Sequence, residues 1–131
     1  MKVVCDTNVL IAALVADGLC RDIVKRRLPR VDLFVSVEML RELDRTLQGM
    51  FRTAAATLPF LKVYRDRAQL VAPDRLPAPV CRDPDDDMVI ATAIAARADV
   101  ILTGGNDLLV LRRHGRIRIL SPRQFVELMD Q

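Results

Sequence analysis

Tryptophan is absent, tyrosine and histidine occur once each, and only 3 of the 20 basic residues are lysine in this chain of 131 residues. A single histidine, His114, cannot build a zinc site without cysteine neighbours, and Cys5, Cys20 and Cys81 are too scattered to supply them or to form a Cys-x-x-Cys redox pair. Three dispersed cysteines fit small buried apolar side chains in a reducing compartment, not a disulfide framework. With one tyrosine and four phenylalanines, no aromatic platform for stacking bases is legible. Long apolar runs are missing too. The longest uncharged ones, residues 9–16 and 88–96, fall far short of the roughly 18 residues of a membrane span. Asp6 and Asn8 interrupt the first apolar segment, so no secretory leader is expected and the expected location is cytoplasmic.

An apolar fraction of 51% with 28% charged residues describes a folded chain, and the length suits one domain, 1–131. The net charge is +3, yet the acids cluster while the bases are spread out. A basic set of 17 arginines to 3 lysines suits phosphate, because the guanidinium fork engages two phosphate oxygens where lysine offers a point charge. A GC-rich genome accounts for the same bias equally well.

Hydrophobic patterning predicts strands at 2–5, 31–35, 68–72, 99–103 and 116–120. Between them it predicts helices at 7–16, 19–28, 37–50, 52–67, 83–98, 107–113 and 123–129. Ser36, Asp83-Pro84 and Ser121-Pro122 read as helix starts, and Asp17-Gly18 and Gly115 as breaks. Alternation of this kind predicts an α/β fold, three-layer α/β/α, with a mainly parallel central sheet and right-handed crossovers.

Ligands of such sheets sit outside the carboxyl ends of the strands. Asp6 follows Val3-Val4-Cys5 at one such end, where a buried carboxylate is costly unless a cation or hydrogen bonds compensate it; capping the next helix is its competing role. Glu38 and Glu42 share one helix face, and the residues alone leave their roles interchangeable, with surface pairing to Arg41 and Arg45 as the plain alternative. Asp83, Asp85, Asp86 and Asp87 crowd a helix start, more acids than the helix dipole explains. Asp87 is expected on the packing face, because Ile90, Ala91 and Ile94 lie three, four and seven residues on. Asp107 follows the strand 99–103 and the loop Gly104-Gly105, which lacks the spacing and lysine of a P-loop. Clustered carboxylates without histidine imply an oxygen-held cation, Mg²⁺ or Mn²⁺.

Taken in order, these segments resemble the PIN domain, a metal-dependent ribonuclease fold, and within it the VapC-like toxins of bacterial toxin–antitoxin pairs. Asp6-Thr7-Asn8-Val9-Leu10 is similar to the first family motif, and Ser36-Val37-Glu38-Met39-Leu40-Arg41-Glu42-Leu43 to the second. The run from Asp83 to Ala93 is similar to the third, and Thr103-Gly104-Gly105-Asn106-Asp107-Leu108-Leu109 to the fourth. The resemblance spans essentially the whole chain. It implies an endoribonuclease in which Asp6, Glu42, Asp87 and Asp107 hold one or two Mg²⁺ or Mn²⁺ ions and cleavage leaves a 5′-phosphate. Thr7, Asn8, Thr103 and Asn106 then orient water or the ligand carboxylates. Many relatives carry an acid two residues after the threonine, where this chain has Gly105.

The implied partners are RNA, an antitoxin and a second copy of the chain, docked through apolar surface near the N-terminal helices. Two other readings are open. One is a PIN-like binding module for RNA or protein with a degraded metal site. The other is a haloacid dehalogenase-type phosphatase, opposed by Asn8 standing where its second acid belongs and by the lack of a lysine between Tyr64 and Thr103.

Overall fold

Two strands of unbroken apolar character set the centre of the molecule. In the computed structural model, which describes residues 1–50 and 58–131, β1 (Lys2–Cys5) and β4 (Val100–Leu102) lie side by side, and Val3, Val4, Cys5, Ile101 and Leu102 are fully buried. Burial on both faces is the mark of a parallel sheet clad by helices on either side. Outward from β1 run β2 (Asp32–Val35) and β3 (Gln69–Leu70); outward from β4 run β6 (Ile117–Leu120) and β5 (Arg113–His114). The order is β3-β2-β1-β4-β6-β5, parallel except for β5. The three-layer α/β/α architecture expected from the alternating pattern is the one adopted.

Helices α1 (Thr7–Val15), α3 (Val37–Met50) and α5 (Pro84–Ala96) keep close to their predicted bounds. Their starts are chemically marked: Ser36 Oγ accepts the Met39 amide at 3.3 Å, and Asp83 accepts the Asp85 amide at 2.9 Å with Pro84 as the first helical residue. Helix α7 (Pro122–Met129) begins with a reciprocal capping box between Ser121 and Gln124. Inside the molecule, the Thr92 hydroxyl donates to Met88 O at 2.7 Å and lies 2.9 Å from Ser36 Oγ, which joins α5 to the start of α3.

Three expectations are corrected or trimmed. The helix expected over 19–28 is α2 (Leu19–Asp22), continued by a π turn at Ile23–Arg27 and a 3₁₀ turn at Leu28–Arg30. Pro29 supplies no amide to an α-helical ladder, so the chain changes pitch before it. Of the helix expected over 52–67, α4 occupies Leu58–Arg67, with Pro59 in its first turn; residues 52–57 lie outside the described residues. The helix expected over 107–113 is the single turn α6 (Asn106–Leu109). Arg112 (φ 63°) and Gly115 (φ 58°) take left-handed backbone, and the chain folds back as β5 on β6. That hairpin pairs amides of β6 that a longer helix would leave without sheet partners.

Candidate functional site

Register decides what meets at the sheet's carboxyl edge. Cys5 is paired with Leu102, so the next residues, Asp6 and Thr103, leave the sheet together. Asp6 is only 6% exposed, and Thr103 is fully buried with its hydroxyl donating to Asp6 Oδ2 at 2.8 Å. Asp6 stands at the N-cap position of α1; it makes no well-formed cap hydrogen bond, although the Thr7 and Asn8 amides at the helix start lie close enough to favour its charged form. Burial raises its pKa; the Thr103 hydroxyl and the field of the Thr7 and Asn8 amides oppose that rise, while Asp85 adds to it. A carboxylate placed so is costly unless hydrogen bonds or a cation compensate it, and Thr103 supplies one of those bonds.

Around it stand the other acids. Glu42, half-buried on α3, is pushed up to about 7 by burial and by the charges of Asp85, Asp6 and Asp83, against an opposing pull from Arg45. Glu38 is exposed, so the two glutamates that the sequence left interchangeable are separated by burial. Asp86 is pushed up to about 6 by burial and by Asp6, Asp83, Asp107 and Asp85. Strand β1, helix α3 and the first turn of α5 thus bring Asp6 within the field of both Glu42 and Asp86, with Asp83 and Asp85 acting on both and Asp107 on Asp86.

Asp87 is placed differently. Its carboxylate accepts the Cys81 amide at 2.7 Å and lies 3.2 and 3.3 Å from the Val80 amide, so it ties the connector before α5 to the helix. The reason lies in the helix faces. Val89, Ile90 and Ala93, three, four and seven residues after Asp86, are at most 1% exposed, whereas Ile94, seven after Asp87, is 45% exposed. Ile90 and Ala91, three and four residues after Asp87, are buried as expected, but the stripe running from Asp86 is the deeper of the two. That signal is in the sequence, but a helix apolar nearly all round beyond its first turn hides which stripe is deepest.

Asp107 is half-buried at the start of α6, and its Oδ1 receives Arg82 Nη2 at 2.8 Å. Arg82 was not anticipated. Thr103 also accepts the Gly105 amide at 3.0 Å, and Asn8 Oδ1 accepts the Gly104 amide at 3.2 Å, which fixes the loop between β4 and α6. Thr7 is buried, while Asn106 is exposed. A Cβ on Gly105 would lie 3.4 Å from both Asn8 Nδ2 and Thr103 Oγ1, so the missing acid's position abuts the Asp6–Thr103 pair. Burial and the charges of Asp87 and Asp86 push the Cys81 thiol up to about 11, which disfavours its thiolate.

Among the described residues, no three histidine, cysteine, aspartate or glutamate side chains are arranged to hold a metal ion. The donor chemistry nevertheless suits one: the set is all oxygen, anionic and partly dehydrated, which is what a hard divalent cation requires. Burial first, and neighbouring acid charge second, raise Glu42 and Asp86, and a cation would offset both.

Sheet order, the acid at the tip of β1 and the acids led in by α3 and α5 together describe a nuclease-type fold. A family model described as PIN domain matches residues 2–107, and the chain belongs to that family. An uncharacterized protein of Methanocaldococcus jannaschii, MJ1680, is 27% identical over 144 residues, covering 97% of this chain and 90% of its own length. Among the described residues no helix is long and apolar enough to cross a membrane.

Proposed function

We propose that the protein is a Mg²⁺- or Mn²⁺-dependent endoribonuclease that hydrolyses RNA phosphodiester bonds. The observation that carries this reading is Asp6: a carboxylate 6% exposed at a strand tip, held by Thr103 and crowded by Glu42 and Asp86. Structural acids find bases; these face other acids. Asp6, Glu42 and Asp86 are the residues that would hold the ion, and Asp107 joins them when Arg82 releases it. Asp86 replaces Asp87 in this set because Asp87 is occupied by the connector amides. A divalent ion there supplies acidification of water and compensation of charge developing on the phosphate. Thr103 donates to Asp6 and so orients its carboxylate, and Asn8 accepts the Gly104 amide and so fixes the loop beside it.

We further propose the toxin role of a toxin–antitoxin pair, in the cytoplasm. Val15 and Leu19 are exposed where α1 meets α2, which supports a covering partner, and the three free cysteines suit a reducing compartment. A second reading, a binding module with a degraded site, is favoured by the lack of a ready metal-holding group among the described residues and by Gly105. Single-stranded RNA incubated with Mn²⁺, Mg²⁺ or EDTA separates the two. Cleavage to 5′-phosphate ends with metal, and none in EDTA, is the expected result; binding without cleavage at any metal concentration would leave the module reading.

A further inference from the structure

The acids gathered around Asp6 repel the polyanion that the proposed reaction requires. An ion in the pocket meets one phosphate; the strand around it still needs a cation at the pocket's mouth. Among the described residues one ion pair reaches the acid cluster, Arg82 with Asp107, while the others join Arg26 and Arg27 to Asp22, Arg27 to Asp130, and Arg65 to Asp44. The Arg82 side chain is 88% exposed and its partner's 38%. A pair so open to water is weak, held by little beyond proximity.

The base of Arg82 is fixed even though its guanidinium, paired with Asp107, is open to water. Asp87 holds the amides of Val80 and Cys81, the two residues just before it, and Asp83, just after it, caps α5. The chain therefore leaves Arg82 at one defined point between the first turn of α5 and the start of α6. Such a side chain, anchored at its Cα and solvated at its tip, can exchange one anion for another without any backbone movement. A phosphate offers the guanidinium two oxygens in fork geometry, where Asp107 here accepts from one nitrogen.

We propose that Arg82 is an RNA-phosphate-binding residue, stored on Asp107 until substrate arrives. The exchange does two things at once: it places a cation on the backbone beside the scissile position, and it frees Asp107 as a further carboxylate for the pocket. This rests on the ribonuclease reading and goes beyond it by assigning the substrate contact to a residue outside the four motifs.

The test is binding, with no turnover needed. Affinity for a short labelled single-stranded RNA is measured by fluorescence anisotropy across a salt series, in EDTA and again in Ca²⁺. For Arg82→Ala, affinity is expected to fall about tenfold, and the slope of log K against log salt to flatten by about 0.7, the share of one phosphate contact on a single strand. Arg82→Lys should keep the slope and recover part of the affinity. Asp107→Asn, read in EDTA where no ion calls on its carboxylate, distinguishes a phosphate ligand from a strut: it breaks the same ion pair, yet there should bind RNA as well as wild type or more tightly. Unchanged affinity and slope in Arg82→Ala overturn the proposal, as does an Asp107→Asn loss in EDTA equal to that of Arg82→Ala. A wild type that binds no RNA in either buffer overturns the ribonuclease reading as well, a result distinct from the loss of Arg82 alone.

Discussion

At Asp6 a single carboxylate carries opposite duties in the two states of the site. Without a cation, its burial and its acid neighbours make it a cost to the fold; with one, on the proposed function, it would be the deepest ligand. Asp6→Asn is therefore expected to abolish metal-dependent RNA cleavage while the metal-free variant melts at the same temperature as metal-free wild type or higher. A clear drop in melting temperature would make Asp6 a structural residue instead. Glu42 and Asp86 extend the argument to pH. Their folded values, about 7 and about 6, lie above the ordinary 4.5 and 3.8, so between those limits the folded protein holds more protons than the unfolded chain. Stability then falls as pH rises wherever the native state binds the extra proton. Metal-free protein should accordingly lose thermal stability from about pH 4.5 to pH 7 and level off above it, whereas the stabilisation given by Mn²⁺ should grow over the same window as the carboxylates ionise. Scanning calorimetry with and without Mn²⁺ checks both signs; a melting temperature that rises through this window without metal would mean the acids are compensated by bases.

The first turn of α5 places two adjacent aspartates in different trades, one turned to the pocket and one to the connector. Asp86→Asn should remove cleavage with no loss of stability. Asp87→Ala should cost about 1–2 kcal/mol, the worth of the connector amides' bonds to a partly exposed carboxylate, and leave cleavage by the folded fraction within a few-fold. Urea melts paired with RNA cleavage decide it, and the reverse pattern would restore Asp87 to the pocket. This element also shows what a sequence can and cannot carry. The bounds of α3 and α5, the capping at Ser36, Asp83 and Ser121, and the position of Asp6 at the tip of β1 were all legible, because each rests on a local pattern of apolar spacing or side-chain capping. The choice between Asp86 and Asp87 was not, because it turns on which of several apolar stripes lies deepest, a matter of packing against β1, β2 and β4. The turn at Arg112 hid for another reason: a left-handed arginine has no sequence signature, and the strand it introduces is two residues long. Arg82 was hidden because its partner lies 25 residues away in sequence.

For the molecule as a whole, a cation that binds only the folded pocket stabilises by mass action. Saturating Mn²⁺ should raise the melting temperature, by about 2.7 kcal/mol of stability at one hundred times the dissociation constant. Ca²⁺ should stabilise as well without supporting cleavage. No shift at millimolar Mn²⁺ would favour the degraded-site reading. The exposed Val15 and Leu19 predict a second copy or another protein over the N-terminal helices. Light scattering checks this, and a monodisperse species near 14.7 kDa at tens of micromolar would rule out the homodimer. How such partners can attach is constrained by the sheet margins. One margin is β3, Gln69–Leu70, and the other is β5, Arg113–His114, each two residues long. Strands this short give an incoming chain almost no ladder to extend, so the sheet cannot serve as a template for continuous cross-β growth. Association is left to side-chain surfaces, whose fit is settled residue by residue and not by an open ladder of backbone hydrogen bonds.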